Sequence, residues 1–285
     1  MSEADARHWL EGSAYAHALG VEPLVVTPGR VRLRLPFAAA NTNPGGVLHG
    51  GVAASLVALA GQAVARATLG PEAAPFHTWG LEVAYLAAAR EEAVAVEAAR
   101  LREGKELVFV DVAVRGADGR PIAQGLVAAR GRFGAPAAAL PAASGDDGAA
   151  DPGPLGPHIE RIPFLARLGI RVEHMAGGRS RIVLPFRPEH TDGGGGAGFA
   201  EGAVLALLDT TGAMAAWAVT GPGPYKASTP ALQARFLSPP PAETLIAHGD
   251  CTHRDGSAFS CDVEVCGERS RRVCARGTVL YRILA

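Results

Sequence analysis

NTNPGGVLHGGVAASLVALAGQ, residues 41–62, and GFAEGAVLALLDTTGA, residues 198–213, are two versions of one pattern: a polar, glycine-containing approach running into a segment of Ala, Val and Leu. Aligned through Gly51 and Gly202, they also pair Leu56 with Leu207 and Gly61 with Gly212. A helix that is apolar all round has no solvent-facing stripe, so each segment predicts a central helix enclosed by the rest of its unit.

The likeness continues in both directions. Upstream, Gly20 and Gly169 precede strand-like runs ending in Leu35-Pro36-Phe37 and Leu184-Pro185-Phe186, with Arg30 matching Arg179. Downstream, Thr78 matches Thr229, Tyr85 matches Phe236 and Gly125 matches Gly277. Such self-similarity predicts one structural unit used twice, and a chain of 285 residues has room for two domains of common size. Between the copies, residues 134–157 are rich in Pro, Gly, Ala and Asp, a composition suited to an extended linker. The division is therefore 1–133, 134–157 and 158–285, and a linker of that length can let the copies pair side by side.

Strands are expected in the first copy at 21–26, 30–36, 78–86, 93–102, 106–115 and 122–132. The alternation Val31-Arg32-Leu33-Arg34-Leu35 marks a half-buried strand, and Asp118-Gly119 marks a hairpin turn. The matching turn in the second copy is expected at residues 267–269. One helix cannot cover both faces of such a sheet, but an antiparallel sheet can wrap it on one face. The fold class is α+β, with each antiparallel sheet curled around one long central helix.

A hydrophobic share of 48% supplies the apolar surface that offsets ordering entropy. A formal net charge of −1 without a Lys/Arg run gives no support to a nucleic-acid or anionic-membrane surface. The acidic, amphipathic start MSEADARHWLEG differs from a secretory signal, so a cytoplasmic location is expected. The apolar window near residues 52–69 is broken by Ser55, Gly61, Gln62 and Arg66 and reads as a core helix short of a membrane span. Cys251, Cys261, Cys266 and Cys274 form no C-x-x-C pair; buried free thiols on strands are expected, with no metal site. His174, His190, His248 and His253 are expected at solvated or strand-edge positions, and the Arg269, Arg271, Arg272 cluster as a solvated face.

The two helices differ where chemistry would sit. His49 aligns with Ala200, Gly50 with Glu201, and Ala58 with Asp209. Asn43 precedes His49 in the first copy, whereas the second has glycines at 193–196. Asp209, among Val204, Leu205, Leu207, Leu208, Met214 and Trp217, is expected to be buried, where an uncompensated carboxylate needs donors, water or a neutralising pKa shift. Taken alone it could equally be a core Asp bonded to Thr210, Thr211 or a strand backbone. At the His49-Gly50-Gly51 helix start, free N–H groups and the helix dipole can polarise a carbonyl, and glycine permits close approach. Alone, these residues read as a simple turn into a helix.

The combination of Asn43, His49-Gly50-Gly51 and an Asp at the 209 position resembles the phenylacetyl-CoA-type hotdog acyl-CoA thioesterases. The resemblance spans both copies outside the linker and the N-terminal helix. It implies two tandem hotdog domains paired as an intrachain pseudo-dimer, with acyl-CoA as substrate and no cofactor beyond the coenzyme A of that substrate. It implies one site across the two halves, with Asn43, His49 and Gly50 from the first and Asp209 and Thr229 from the second. Gly51, Thr78 and Tyr225 are candidate substrate-binding positions, and two chains pairing as a homodimer of pseudo-dimers is expected. The reciprocal location, with Ala200, Glu201, Ala58 and Thr78, lacks the base and is expected to be silent or to serve binding. Glu201 is a carboxylate, but at the helix start rather than the Asp position.

The implied chemistry is general-base activation of water by Asp209, or its direct attack, with Gly50 N–H stabilising the oxyanion. Asn43 and His49 would position the thioester and Thr229 the water or the carboxylate. Two alternatives share the fold: a non-catalytic acyl-CoA or small-ligand binding module, and a double-hotdog enoyl-CoA hydratase or dehydratase. The complementary retention of Asn43, His49 and Asp209 opposes the first. The second usually places Asp and His on one loop-helix segment, and the first copy has Ala58 where the Asp would stand.

Overall fold

The computed structural model describes residues 2–132, 139–145, 148–192 and 198–284. The first half runs α1 (Ser2–Gly12), α2 (Ala14–Leu19), β1 (Glu22–Thr27), β2 (Arg30–Leu35), α3 (Gly50–Leu69), β3 (His77–Tyr85), β4 (Val94–Glu103), β5 (Leu107–Arg115) and β6 (Pro121–Arg130). The second runs α4 (Gly156–Ile159), α5 (Pro163–Leu168), β7 (Arg171–Ala176), β8 (Arg179–Leu184), α6 (Glu201–Thr220), β9 (Lys226–Phe236), β10 (Leu245–Asp255), β11 (Ala258–Gly267) and β12 (Val273–Leu284).

All twelve strands join one sheet in the order β1-β2-β4-β5-β6-β3-β9-β12-β11-β10-β8-β7. The order reads symmetrically from either end, and the halves meet where β3 pairs antiparallel with β9. There Gly80 faces Arg235 and Ala84 faces Ala231, pairs that exchange when each residue is replaced by its repeat counterpart. A local twofold therefore passes through the Glu82 and Gln233 pair, where Gln233 Nε2 donates to Glu82 Oε1 at 3.2 Å.

Both central helices lie against the concave face of this sheet and against each other. A Cβ on Gly61 would stand 2.8 Å from the Val127 side chain, and one on Gly212 2.5 Å from Val279; glycine sets the helix-to-sheet spacing identically in the two halves. Strand β2 alternates strictly between exposed and buried residues, as its sequence predicts. In β8 the five residues after Arg179 are all buried. The interdomain stretch explains that difference: Gly148 O accepts from Arg181 Nη2 at 2.8 Å, and Ser144 N–H donates to Glu264 at 3.0 Å.

Several sequence expectations are revised. The stretch read as linker pairs with the second half through Ala142 and Arg272 and through Asp151 and His174, and α4 begins inside it at Gly156; residues 133–138 and 146–147, like the glycines at 193–196, lie outside the described residues. Helices α3 and α6 are in fact long and apolar enough to cross a membrane, but 83% of the most apolar 18-residue window of each is buried inside the protein. His190 and His248 are buried rather than solvated, the latter because the interdomain stretch packs Gly145 onto it. Cys251 is partly exposed while the other three free cysteines are buried.

Candidate active site

The N-terminal halves of α3 and α6 cross closely. A Cβ on Gly51 would stand 2.8 Å from Ala206 Cα, and one on Gly202 2.9 Å from Ser55 Oγ, the two contacts being related by the twofold. Ser55 Oγ donates to Gly51 O at 2.6 Å and lies 3.0 Å from Gly202 O. Gly51 thus serves the helix contact. This crossing brings Asp209 of one half to Gly50 of the other.

Asp209 is 4% exposed. Its Oδ1 accepts from Thr229 Oγ1 at 3.0 Å, and its Oδ2 is 2.8 Å from where a Cβ on Gly50 would stand. Any side chain there would displace the carboxylate. Burial raises the Asp209 carboxyl to about 6, and the Thr229 bond opposes that rise. The group is therefore ionised near neutrality yet basic enough to accept a proton. Gly50 opens α3, where helix geometry gives its N–H no intrahelical acceptor.

His49 caps the same helix. Its Nδ1 accepts from Gly51 N–H at 2.9 Å, so in the neutral ring the proton resides on Nε2. Burial lowers its pKa to about 4, and its ring packs on Phe164 of α5 at 4.9 Å. Asn43 N–H donates to Val47 O at 2.7 Å; among the described residues its side chain makes no hydrogen bond to His49 or Asp209. Asn41, unremarked in the sequence reading, is 1% exposed and anchors the loop. Its Nδ2 donates to Leu19 O at 2.8 Å, its Oδ1 accepts from Arg167 at 2.6 Å, and its carbonyl accepts from His49 N–H at 3.0 Å.

Tyr85 and Tyr281 also escaped the sequence reading. Tyr85 hydroxyl donates to Gly50 O at 3.3 Å, and burial, reinforced by the charge of Asp209, holds its pKa well above the ordinary range. Tyr281 accepts from Trp217 Nε1 at 3.1 Å, and burial and Asp209 raise its pKa. Tyr225 stacks obliquely on Trp217 at 6.0 Å, forming with Tyr281 an aromatic wall on the second half's side. The one available signal was the pairing of Tyr85 with Phe236, which differ by a hydroxyl.

At the reciprocal location Glu201, 6% exposed, reaches from the start of α6 to the first half. Its Oε1 accepts from Thr78 N–H at 3.0 Å and faces His77 Nδ1 at 3.3 Å, while its Oε2 accepts from Gln62 Nε2 at 2.6 Å. Gln62 Nε2 also lies 3.3 Å from Thr78 Oγ1, and Gln62 Oε1 accepts from Arg66 at 3.2 Å. Burial alone would lower the His77 pKa; the bond to and charge of Glu201 reverse this and raise it. The carboxylate is consumed by internal partners. A groove of about 770 Å³ over the seam on the outer sheet face, lined by Glu82, Gln233 and Arg235 among others, touches neither Gly50 nor Asp209. Among the described residues no three His, Cys, Asp or Glu side chains converge as metal ligands.

The halves match thioesterase families separately. The family described as Acyl-CoA thioesterase N-terminal domain matches residues 38–140, and the Thioesterase superfamily matches residues 201–274. A candidate esterase of Halobacterium salinarum is 37% identical over 100 residues, covering 34% of this chain and 66% of that protein's length. A tesB protein of Mycobacterium avium subspecies paratuberculosis shares the fold over 100% of both chains, with a TM-score of 0.67 at 15% identity. An acyl-CoA thioesterase II of Mycobacterium marinum matches 93% of this chain and 96% of its own, with a TM-score of 0.63 at 13% identity. With the same central-helix unit in both halves and one continuous sheet through their seam, the chain has the double-hotdog fold of these solved structures, and each half carries a match to a thioesterase family.

Proposed function

We propose that this thioesterase hydrolyses acyl-CoA at one site per chain, formed where Asp209 of the second half meets the Gly50 start of α3. The observation that carries the reading is the 2.8 Å approach of Asp209 Oδ2 to the Cβ position of Gly50, which puts a buried base beside the Gly50 N–H at the start of α3; the next N–H groups, of Gly51 and Val52, are taken by His49. Asp209 takes a proton from water as the water oxygen adds to the thioester carbon, and Thr229 fixes the orientation of the carboxylate. The Gly50 N–H and the helix dipole hold the developing oxyanion. The oxyanion collapses, the C–S bond breaks, and the coenzyme A thiolate leaves and is protonated.

His49 contributes as a neutral cap that orients the first turn of α3, with Nε2–H available to the substrate, and Asn43 stands in the loop leading to it. The combination of Asn43, His49-Gly50-Gly51 and Asp209 supports a phenylacetyl-CoA-type pattern divided between the halves, and the Trp217, Tyr225 and Tyr281 wall suits an aryl acyl group. Thr78 belongs to the locked reciprocal location, which we assign no turnover. The chain carries this out in the cytoplasm, and two chains associate through a further interface. Thiol release from a panel of aliphatic and aryl acyl-CoAs tests the reading: release by the native protein, lost in Asp209→Asn, is expected, whereas full activity in Asp209→Asn rejects this site.

A further inference from the structure

Cys251 on β10 and Cys261 on β11 are direct partners in an antiparallel ladder. Opposed residues project from the same face with Cα atoms about 4.5–5.5 Å apart, within the span of about 4.4–6.8 Å that a disulfide bridges. Both are free thiols, and their side chains are in hydrogen-bond contact. The ladder changes register between Cys251 and His253, a bulge that bends the strand at this point. Cys266 is opposed by Val273, and the Cys274 thiol is directed at Val265 O at 3.4 Å, so those two cysteines share no such register.

Exposure divides the roles of the pair. Cys261 is fully buried against Ala215 and Ala216 of α6, and burial, with the Cys251 thiol beside it, pushes its own thiol pKa up. Cys251 is partly exposed next to the β7–β8 turn, where its N–H donates to Gly178 O at 2.8 Å. An oxidant arriving from solvent meets Cys251 first, with Cys261 already in place behind it.

We propose that Cys251 and Cys261 form a reversible modification site that closes to a cross-strand disulfide on reaction with a hydroperoxide. The Cys251 sulfur attacks the O–O bond, forming a sulfenic acid and releasing the alcohol, or water when the oxidant is hydrogen peroxide. The Cys261 sulfur then attacks the sulfenic sulfur: the S–S bond forms, the S–O bond breaks, and hydroxide leaves as water with the Cys261 proton. Two sulfurs each lose one electron, and one peroxide bond takes up both. Trp217, Tyr225 and Tyr281 pack on the same cluster as the two cysteines, so the bond would form directly behind the aromatic wall of the Asp209 site.

The test treats the full chain with a few equivalents of hydrogen peroxide, alkylates remaining thiols under denaturing conditions and digests with trypsin without reductant. Arg254 lies between the two cysteines, so the bond links two peptides whose joint mass is two hydrogens below their sum. The expected crosslink joins Cys251 to Cys261, persists in Cys266→Ser, is absent from Cys251→Ser and is removed by dithiothreitol. Alkylated Cys261 together with Cys251 as a sulfinic or sulfonic acid, an interchain Cys251 dimer, or a crosslink through Cys266 would each overturn the proposal. Because mass is the readout, the result does not depend on whether Asp209 hydrolyses thioesters.

Discussion

The Asp209 and Glu201 locations occupy the same place in the two halves and solve opposite problems. At the first, Gly50 leaves space and Asp209 fills it from across the interface; at the second, Ala58 leaves space and Glu201 fills it from the helix start. Thr229 has its counterpart in Thr78, Tyr85 in Phe236, and Trp217 in Arg66. Among the described residues Asp209 has one side-chain bond, from Thr229. Glu201 is held by Thr78, Gln62 and His77. A buried carboxylate with one donor keeps basicity for chemistry, whereas one with three partners contributes to a fixed interface.

The comparison breaks most sharply at its two acids. Asp209→Asn should lower kcat by roughly a thousandfold in a thiol-release assay, without loss of secondary structure. Because burial moves the Asp209 carboxyl from 3.8 to about 6, the folded state binds its proton more tightly than the unfolded chain does. Its ionisation therefore costs stability as pH rises between those values, about 3 kcal/mol in full. Thermal melts at pH 8 should show the Asn variant melting above the native protein, and a lower melting temperature would contradict this account of the burial.

Glu201→Ala should do the reverse. Removing one partner of a buried pair costs about 3–5 kcal/mol, read as a lower denaturation midpoint, while kcat per folded molecule stays close to native. The contribution has a pH signature of its own. His77 has a raised pKa, so its stabilisation is complete below the unfolded value of 6.5 and is lost as pH rises through the folded value. Glu201→Gln should therefore lose less stability than the native protein on going from pH 6 to pH 9.

Smaller effects refine the active side. Gly50→Ala places a methyl 2.8 Å from Asp209 Oδ2 and should reduce kcat by about a hundredfold through misplacement of the base. Thr229→Ala removes the bond that holds the Asp209 pKa down; about a tenfold loss in kcat is expected, and the acidic limb of the pH–rate profile should move to higher pH. An unmoved limb would show that Asp209 is not the titrating base. Tyr85→Phe, which copies the Phe236 counterpart, should cost only a few-fold.

Much of this was legible in the chain itself. The repeat of Gly51 and Gly202, of Gly61 and Gly212, and of two apolar helices fixed the duplicated architecture, since one pattern of enclosed helix admits one kind of unit. The sequence also marked Asp209 as the anomalous residue of its helix, because a carboxylate among Leu and Val stands out without any coordinates. It did not reveal Tyr281, whose place beside the Asp209 site depends on β12 pairing with β9. Nor did it reveal that Glu201, expected near Thr78, also meets His77 and Gln62, or that the interdomain stretch buries His248. Pattern along the chain determines which face of an element is buried and where polar residues break the rule. Which polar groups then meet is decided by the crossing of α3 with α6 and by the β3–β9 seam, contacts between residues more than a hundred positions apart whose energy no local periodicity records.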